Sequence, residues 1–372
     1  MSHLGRGFAI AVAAVTVLAA RADAYPQYQL GREMTCTGCH VAPDGGGLLN
    51  ENGFAVAEST AWKSGNSAFM YGMSKPGWLQ LSGEARAAAG FVDPGTASVA
   101  AYPMQAEVTA SAETRGVSLH LTGGLRRPQD GGSVAHVVWS REHYLMWRSN
   151  PGANDGVYVR AGRFMPTFGL RLAEHVVYTQ RYGGRPLYGE VYGLAGSYVT
   201  SAFEVHAAGF VHDGIASAVE HGDGGAVYAE ARLGERAAIG IEGKYSKSDE
   251  LTNAIAGVTG KVYFPGPQLT LLGEAELIRR EITVGAGDKA TQLAAYALVS
   301  RPLDGGFLLD AGVGHFTQDT RVQGLYRDAV DVNLHWFMSS HVEWLLTLRA
   351  ELLDAGSGIN GGYALAQIHY RL

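Results

Sequence analysis

The sequence predicts an all-β chain that forms a transmembrane antiparallel β-barrel of about sixteen strands, with about 14–18 as the range. Three observations predict it. The first is composition: of 372 residues, 47% are hydrophobic and only 17% charged, with 51 Gly, 18 Tyr and 6 Trp. Ordinary globular chains carry about 25% charged residues. The second is a period-two alternation of apolar and polar residues over segments of about ten residues from Gly77 onward, which places one face of each segment toward lipid. The third is the Gly-, Asp- and Asn-rich turn signals between segments, with little helical patterning. So apolar and aromatic a chain is not a disordered one. The only long apolar run lies at the N-terminus, so helical membrane spans are excluded. A net charge of −6 argues against a nucleic-acid partner.

The alternation is explicit in several places. Val117, Leu119 and Leu121 alternate with Ser118, His120 and Thr122. Val227, Ala229 and Ala231 alternate with Tyr228, Glu230 and Arg232, and Val330, Val332, Leu334 and Trp336 with Asp331, Asn333 and His335. Val342, Trp344, Leu346 and Leu348 face away from His341, Glu343, Thr347 and Arg349. Segment starts fall near Gly77, Pro103, Gly116, Val134, Gly156, Glu190, Ala202, Gly225, Arg236, Asn253, Gln268, Ala290, Gly306, Leu325, His341 and Gly362. Aromatic pairs at Tyr144/Trp147, Tyr263/Phe264 and Trp336/Phe337 are read as interfacial girdles. Ala364, Ala366, Ile368, Tyr370 and Leu372 form an apolar face like that of a terminal barrel strand, although such strands typically end in Phe. The longest interruption, Met165–Gly189, either folds inward with Arg171, Arg181 and Arg185 to narrow a pore or forms an ordinary surface loop.

Ahead of the barrel, residues 1–24 read as a secretory signal: Arg6, an apolar run from Phe8 to Ala20, and the small-x-small site Ala22-Asp23-Ala24. Residues 25–76 form a separate segment, with a loop at Asp44–Gly47 and a short helix over Leu48–Thr60. About fifty residues make too small a core to stand alone, so this segment is expected to act as a plug or cap on the barrel of residues 77–372.

The two cysteines belong to one motif. Cys36-Thr37-Gly38-Cys39-His40 is C-x-x-C-H, the attachment signature of c-type haem. Two thiols at that spacing add to the two vinyl groups of one porphyrin, and the adjacent His40 reaches the iron as proximal ligand. A thioredoxin-like site would need a βαβ context, and a zinc site further ligands; neither surrounds Cys36. The prediction is one covalent haem c on Cys36 and Cys39 in a mainly helical segment. Met70 or Met73 is the candidate for the far face of the iron, with packing or an interfacial anchor as the other account of both. Inward His120, His136, His206, His335, His341 and His369 are candidate distal ligands or metal sites, against the simpler reading of tolerated lumen histidines. Asp213, Glu220, Asp223 and Asp249 are read as a charged loop rim.

A signal, a single C-x-x-C-H at Cys36–His40, a Gly53-Phe54 element and a porin-like barrel together resemble the fused monohaem cytochrome–porin family of iron-oxidising bacteria. The stretch Val41–Asn50 departs from that family's pattern, and Arg160–Gly169 is similar to a pattern in porins without haem. The resemblance implies an outer-membrane electron conduit in which a haem held by Cys36, Cys39 and His40 takes electrons from an extracellular donor such as Fe(II). Periplasmic c-type cytochromes or other carriers would be its partners, and outer-membrane lipid its surroundings. A direct iron oxidase or reductase is a variant of that reading. The alternative is a solute-conducting porin whose N-terminal segment is a plug, sensor or structural element.

Overall fold

A computed structural model describes residues 26–30, 35–93, 98–125, 138–174, 176–214, 222–283, 288–353 and 359–372. The proposed signal, His136 and Glu220 lie outside them. The strands are β1 (Leu79–Asp93), β2 (Ser98–Thr114), β3 (Val117–Leu125), β4 (Val138–Arg148), β5 (Gly156–Phe164), β6 (Val191–Val199), β7 (Phe203–Val211) and β8 (Asp223–Arg232). They continue as β9 (Ala237–Lys247), β10 (Leu251–Phe264), β11 (Leu269–Ile282), β12 (Asp288–Leu303), β13 (Phe307–Thr317), β14 (Tyr326–Ser339), β15 (Val342–Leu353) and β16 (Ile359–Arg371). Every strand pairs antiparallel with its sequence neighbours. β1 pairs with β16 from Glu84↔Arg371 to Asp93↔Gly362, which closes the ring. Closure leaves no edge, so every backbone group at membrane depth can find a partner.

The segment starts expected from sequence lie within a few residues of the observed ones. The largest difference is β2, expected at Pro103 and observed from Ser98. Pro lacks a backbone donor and is disfavoured inside a ladder. Pro103 sits instead inside β2, where the register with β1 shifts between Arg86 and Ala87, so the ladder accommodates it.

The alternation sorts side chains by face. On β3, Val117, Leu119 and Leu121 are 43%, 42% and 46% exposed, whereas Ser118, His120 and Thr122 are each 3% exposed. Apolar side chains project outward all around the barrel, including Leu145, Leu194, Ile241, Val258, Val313 and Leu346. Such a continuous apolar exterior is stable only against lipid. The girdle pairs need correction. Tyr144 and Phe337 are buried inside the barrel while Trp147 and Phe264 face out. Members of each pair are an odd number of residues apart, so strand geometry sends them to opposite faces.

The two ends of the barrel differ. Connections at one end are short, as at 115–116, 200–202, 304–306 and 340–341, and β1 begins and β16 ends there. The other end carries the longer connections, including 165–190.

The N-terminal segment lies inside the ring. Asp44 pairs with Arg160 on β5 at 2.5 Å. Gln27 donates to Asp310 on β13 at 3.2 Å, and Lys261 on β10 donates to Gln29 at 2.6 Å. β5 and β13 are eight strands apart in a closed ring of sixteen, so these contacts lie on opposite walls. Among its described residues the segment has one α-helix, α1 (Glu51–Thr60), and single helical turns at Pro26–Tyr28, Cys36–Gly38 and Phe69–Tyr71, so it is less helical than expected. α1 begins later than the expected Leu48 because Asn50 caps it, accepting from Gly53 N at 2.9 Å, while Leu49 bridges to His40 in extended backbone. Gly45, Gly46 and Gly47 all take positive φ, as the expected loop requires.

Candidate functional site

A single helical turn, Cys36–Gly38, shapes the motif. Cys39 N and His40 N both donate to Cys36 O, at 3.2 and 2.9 Å. The turn is then locked from α1. Asn50 N donates to Cys39 O at 2.9 Å, the Asn50 side chain to Thr37 O at 2.8 Å, and the Asn52 side chain to Gly38 O at 2.8 Å. Gly53 packs so closely that a Cβ there would fall 2.2 Å from Cys39 O. This accounts physically for the Gly53 noted in the sequence.

Cys36, Cys39 and His40 all line one open cleft. Its apolar walls include Leu49, Val56, Ala57 and Phe337. Its polar side is supplied by the barrel: Glu84 on β1, Ser339 and Ser340 at the end of β14, and Arg371 on β16. These barrel residues place the cleft at the short-turn end. The thiols are not joined to each other. Burial pushes the Cys36 thiol up to about 11, and Gln29 Nε2 lies 3.0 Å from its sulfur. Burial pushes the His40 imidazole down to about 4, so it is neutral near pH 7. Its Nδ1 lies 3.1 Å from Gly46 O. A carbonyl on Nδ1 selects the tautomer whose Nε2 carries a lone pair, as in most metal-ligating histidines.

These residues fit a covalent haem. Two thiols and an oriented imidazole converge on one cleft with apolar walls, and Arg371, Ser339 and Ser340 offer donors for two carboxylates. The two methionines are not brought to it. Met70 and Met73 are 40% and 58% exposed, and neither lines the cleft. The chain before and around them is strapped to the rim: Trp62 N donates to Phe337 O at 2.8 Å, and His341 Nε2 lies 2.6 Å from Asn66 O.

His120, His206, His335, His341 and His369 are all buried, as expected for inward positions, but among the described residues that line the cleft the only histidine is His40. His120 stacks on Tyr144, His206 bonds Ser197, and His369 sits between Glu84 and Glu343. Asp213 is not part of a solvated rim: it is buried and pairs with Arg163 at 3.0 Å.

The connection 165–190 folds inward, which settles the open choice. Arg171 is buried and pairs with Glu204 on β7 at 2.6 Å. Leu170 N donates to Glu274 on β11 at 2.8 Å, and Gly184 N to Glu276 on β11 at 3.2 Å. Tyr178 packs fully buried near Phe316. Arg185 is also buried, whereas Arg181 lies over the Tyr182 ring. Arg171 further donates to Pro43 O at 3.4 Å, so the inward connection touches the N-terminal segment. Sequence reasoning missed Glu84, Arg371 and the Asp44–Arg160 pair. The only signal was that each falls on a lumen phase or beside the glycine loop.

No protein-family model matches the sequence, and no curated protein matches it. Among solved structures, the chain is similar to OmpT, an outer-membrane protein of Vibrio cholerae, in a form with loop L8 deleted: 15% identity, 79% of this chain and 99% of that one, TM-score 0.57. It is also similar to an anion-selective porin from Comamonas acidovorans (12% identity, 79% and 99%, TM-score 0.58). Salmonella typhi OmpF matches at 10% identity, over 79% and 97%, with a TM-score of 0.59. These likenesses define the fold class: a closed sixteen-stranded antiparallel β-barrel with the fold of outer-membrane porins.

Proposed function

We propose that this chain is a monohaem outer-membrane electron conduit, as its resemblance to fused cytochrome–porins implies, with residues 25–76 as a haem-bearing plug. The single observation that supports the reading best is the convergence of Cys36, Cys39 and the oriented His40 on one cleft. Cys36 and Cys39 would hold haem c through thioethers, and His40 Nε2 would be the proximal ligand. Bound there, the haem supplies a one-electron carrier. The chain's own residues do the rest. Gly46 O fixes the His40 ring, α1 braces the motif turn, and Arg371 and the two serines would offer donors to the haem carboxylates. Short turns face the periplasm in outer-membrane barrels, an orientation in which the cleft would open to the periplasm and periplasmic c-type cytochromes or other carriers would be its partners. Extracellular Fe(II) is the donor that the resemblance implies.

The second reading is a solute-conducting porin in which the segment is a plug or sensor. The likeness to porins and the inward connection favour it. One pair of measurements separates the two. A pyridine haemochrome spectrum of outer-membrane fractions should show one c-type haem per chain. Proteoliposomes should then carry electrons from an outside reductant to an enclosed acceptor. Transfer unchanged in the Cys36→Ala/Cys39→Ala protein sinks the conduit, and solute flux through the intact chain supports the porin.

A further inference from the structure

We propose that Glu174, Asp310 and His335 form a site for one divalent first-row transition cation, separate from the haem cleft, which clips the inward connection to the barrel wall. Asp310 lies on β13 and His335 on the paired β14, both on the lumen phase. Glu174 comes from the connection 165–190. His335 Nε2 is 3.5 Å from Asp310 Oδ2 and 3.9 Å from Glu174 Oε1. The three ligand atoms all lie within 4.8 Å of one another. Ligands about 2.0–2.1 Å from a tetrahedral zinc are roughly 3.4 Å apart. Closing the triangle therefore needs shifts of a few tenths of an ångström on the His335 edges.

The surroundings are those of a metal site. His335 Nδ1 lies 2.8 Å from Glu343 Oε1, the carboxylate–histidine arrangement that fixes the ring and turns Nε2 toward a cation. Asp310 is itself oriented, by Ser300 Oγ on Oδ1 at 2.5 Å and Gln27 Nε2 on Oδ2 at 3.2 Å.

Charge balance points the same way. Glu343 is also met by Arg371 at 3.0 Å. Among the described residues, no Lys or Arg forms an ion pair with Asp310 or Glu174. A protonated His335 would offset one of these two carboxylates; a divalent cation beside a neutral His335 offsets both. One imidazole with two carboxylates suits zinc, iron(II), cobalt(II) or manganese(II) better than calcium. The occupied site would join three parts of the chain: the wall, the inward connection, and through Gln27 the N-terminal segment.

The test is equilibrium dialysis of the full-length purified protein against Zn²⁺ after chelator treatment, with metal counted by mass spectrometry. One tightly held zinc per chain is expected. Glu174→Gln should weaken it at least tenfold, and Glu343→Gln, which meets His335 but neither of the other two ligands, by about tenfold. Glu174 is on the connection rather than the wall, so its variant keeps the barrel, as heat-modified gel mobility would confirm. Zinc should also slow proteolysis at Arg181 in the wild type and not in Glu174→Gln. Failure of the wild type to retain zinc overturns the site, as does equal retention by Glu174→Gln and Asp310→Asn. Retention of zinc without protection of the connection overturns the clip.

Discussion

Arg160 of β5 and Asp44 of the N-terminal segment are buried together in the lumen, with Nη1 2.5 Å from Oδ1. Both side chains are almost wholly out of water, so neither charge has another solvent shell to return to. Asp44→Asn leaves the guanidinium unmatched, at a cost of about 3–5 kcal/mol for breaking a buried pair from one side. The expected outcome is release of the segment from the wall while the barrel remains. Protease should then cut within residues 26–78 of folded protein. Pairing Asp44→Asn with Arg160→Gln should recover much of the loss, and a double-mutant cycle would measure the coupling.

Gly53→Ala tests the brace between α1 and the motif. The new methyl would meet Cys39 O and force helix and turn apart. A cost of about 1–3 kcal/mol is expected, the usual range for overpacking. The readout is the fraction of purified chains that show a haemochrome spectrum, which should fall. Ala at the neighbouring exposed Glu51 should leave it unchanged.

Asn50 closes both the helix and the turn, through Gly53 N and Thr37 O. Asn50→Ala removes the cap and is expected to cost about 1 kcal/mol from the cap alone. Asn50→Asp keeps the cap acceptor but not the donor to Thr37 O. Thermal melts of the segment should therefore rank wild type first, then Asp, then Ala.

The pH response of the segment follows from His40. Burial holds its imidazole at about 4 in the fold, against about 6.5 when exposed. Above 6.5 the ring is neutral in both states and the segment keeps its full stability. As pH falls from 6.5 through 4 the unfolded chain takes up the proton first, and that stability is lost. In the Cys36→Ala/Cys39→Ala protein, Trp62 fluorescence should report loosening across this window, and His40→Gln should flatten the response.

The N-terminal segment and the connection 165–190 both contact the inner wall, so channel size is a further readout. Deleting 25–76 should raise single-channel conductance in planar bilayers well above that of the intact chain. Arg171→Ala, which removes the Glu204 pair but leaves the segment, should raise it less.

Most of the barrel was legible in the sequence because a two-residue period is a local property: each strand reports its own faces. The motif was legible for the same reason, since its five residues are adjacent. Contacts across the lumen were not. Asp213 reads as a loop acid until Arg163, on another strand, is placed beside it. The girdle pairs misled because residue type was weighed above parity. Met70 and Met73 had the right distance along the chain, but the strap through Trp62 and Asn66 holds that stretch at the rim. Glu84 and Arg371 are nearly the whole barrel apart in sequence, so only ring closure shows them as neighbours.

That last pair carries a consequence for assembly. Glu84 and Arg371 stand opposite each other where the first strand meets the last, and both face the cleft. The pocket wall is thus the final seam of the ring. A chain with fifteen strands paired has the thiols and the imidazole but lacks the far wall. Closing the ring is therefore also what brings Arg371 across from Glu84 and completes the lining of the pocket.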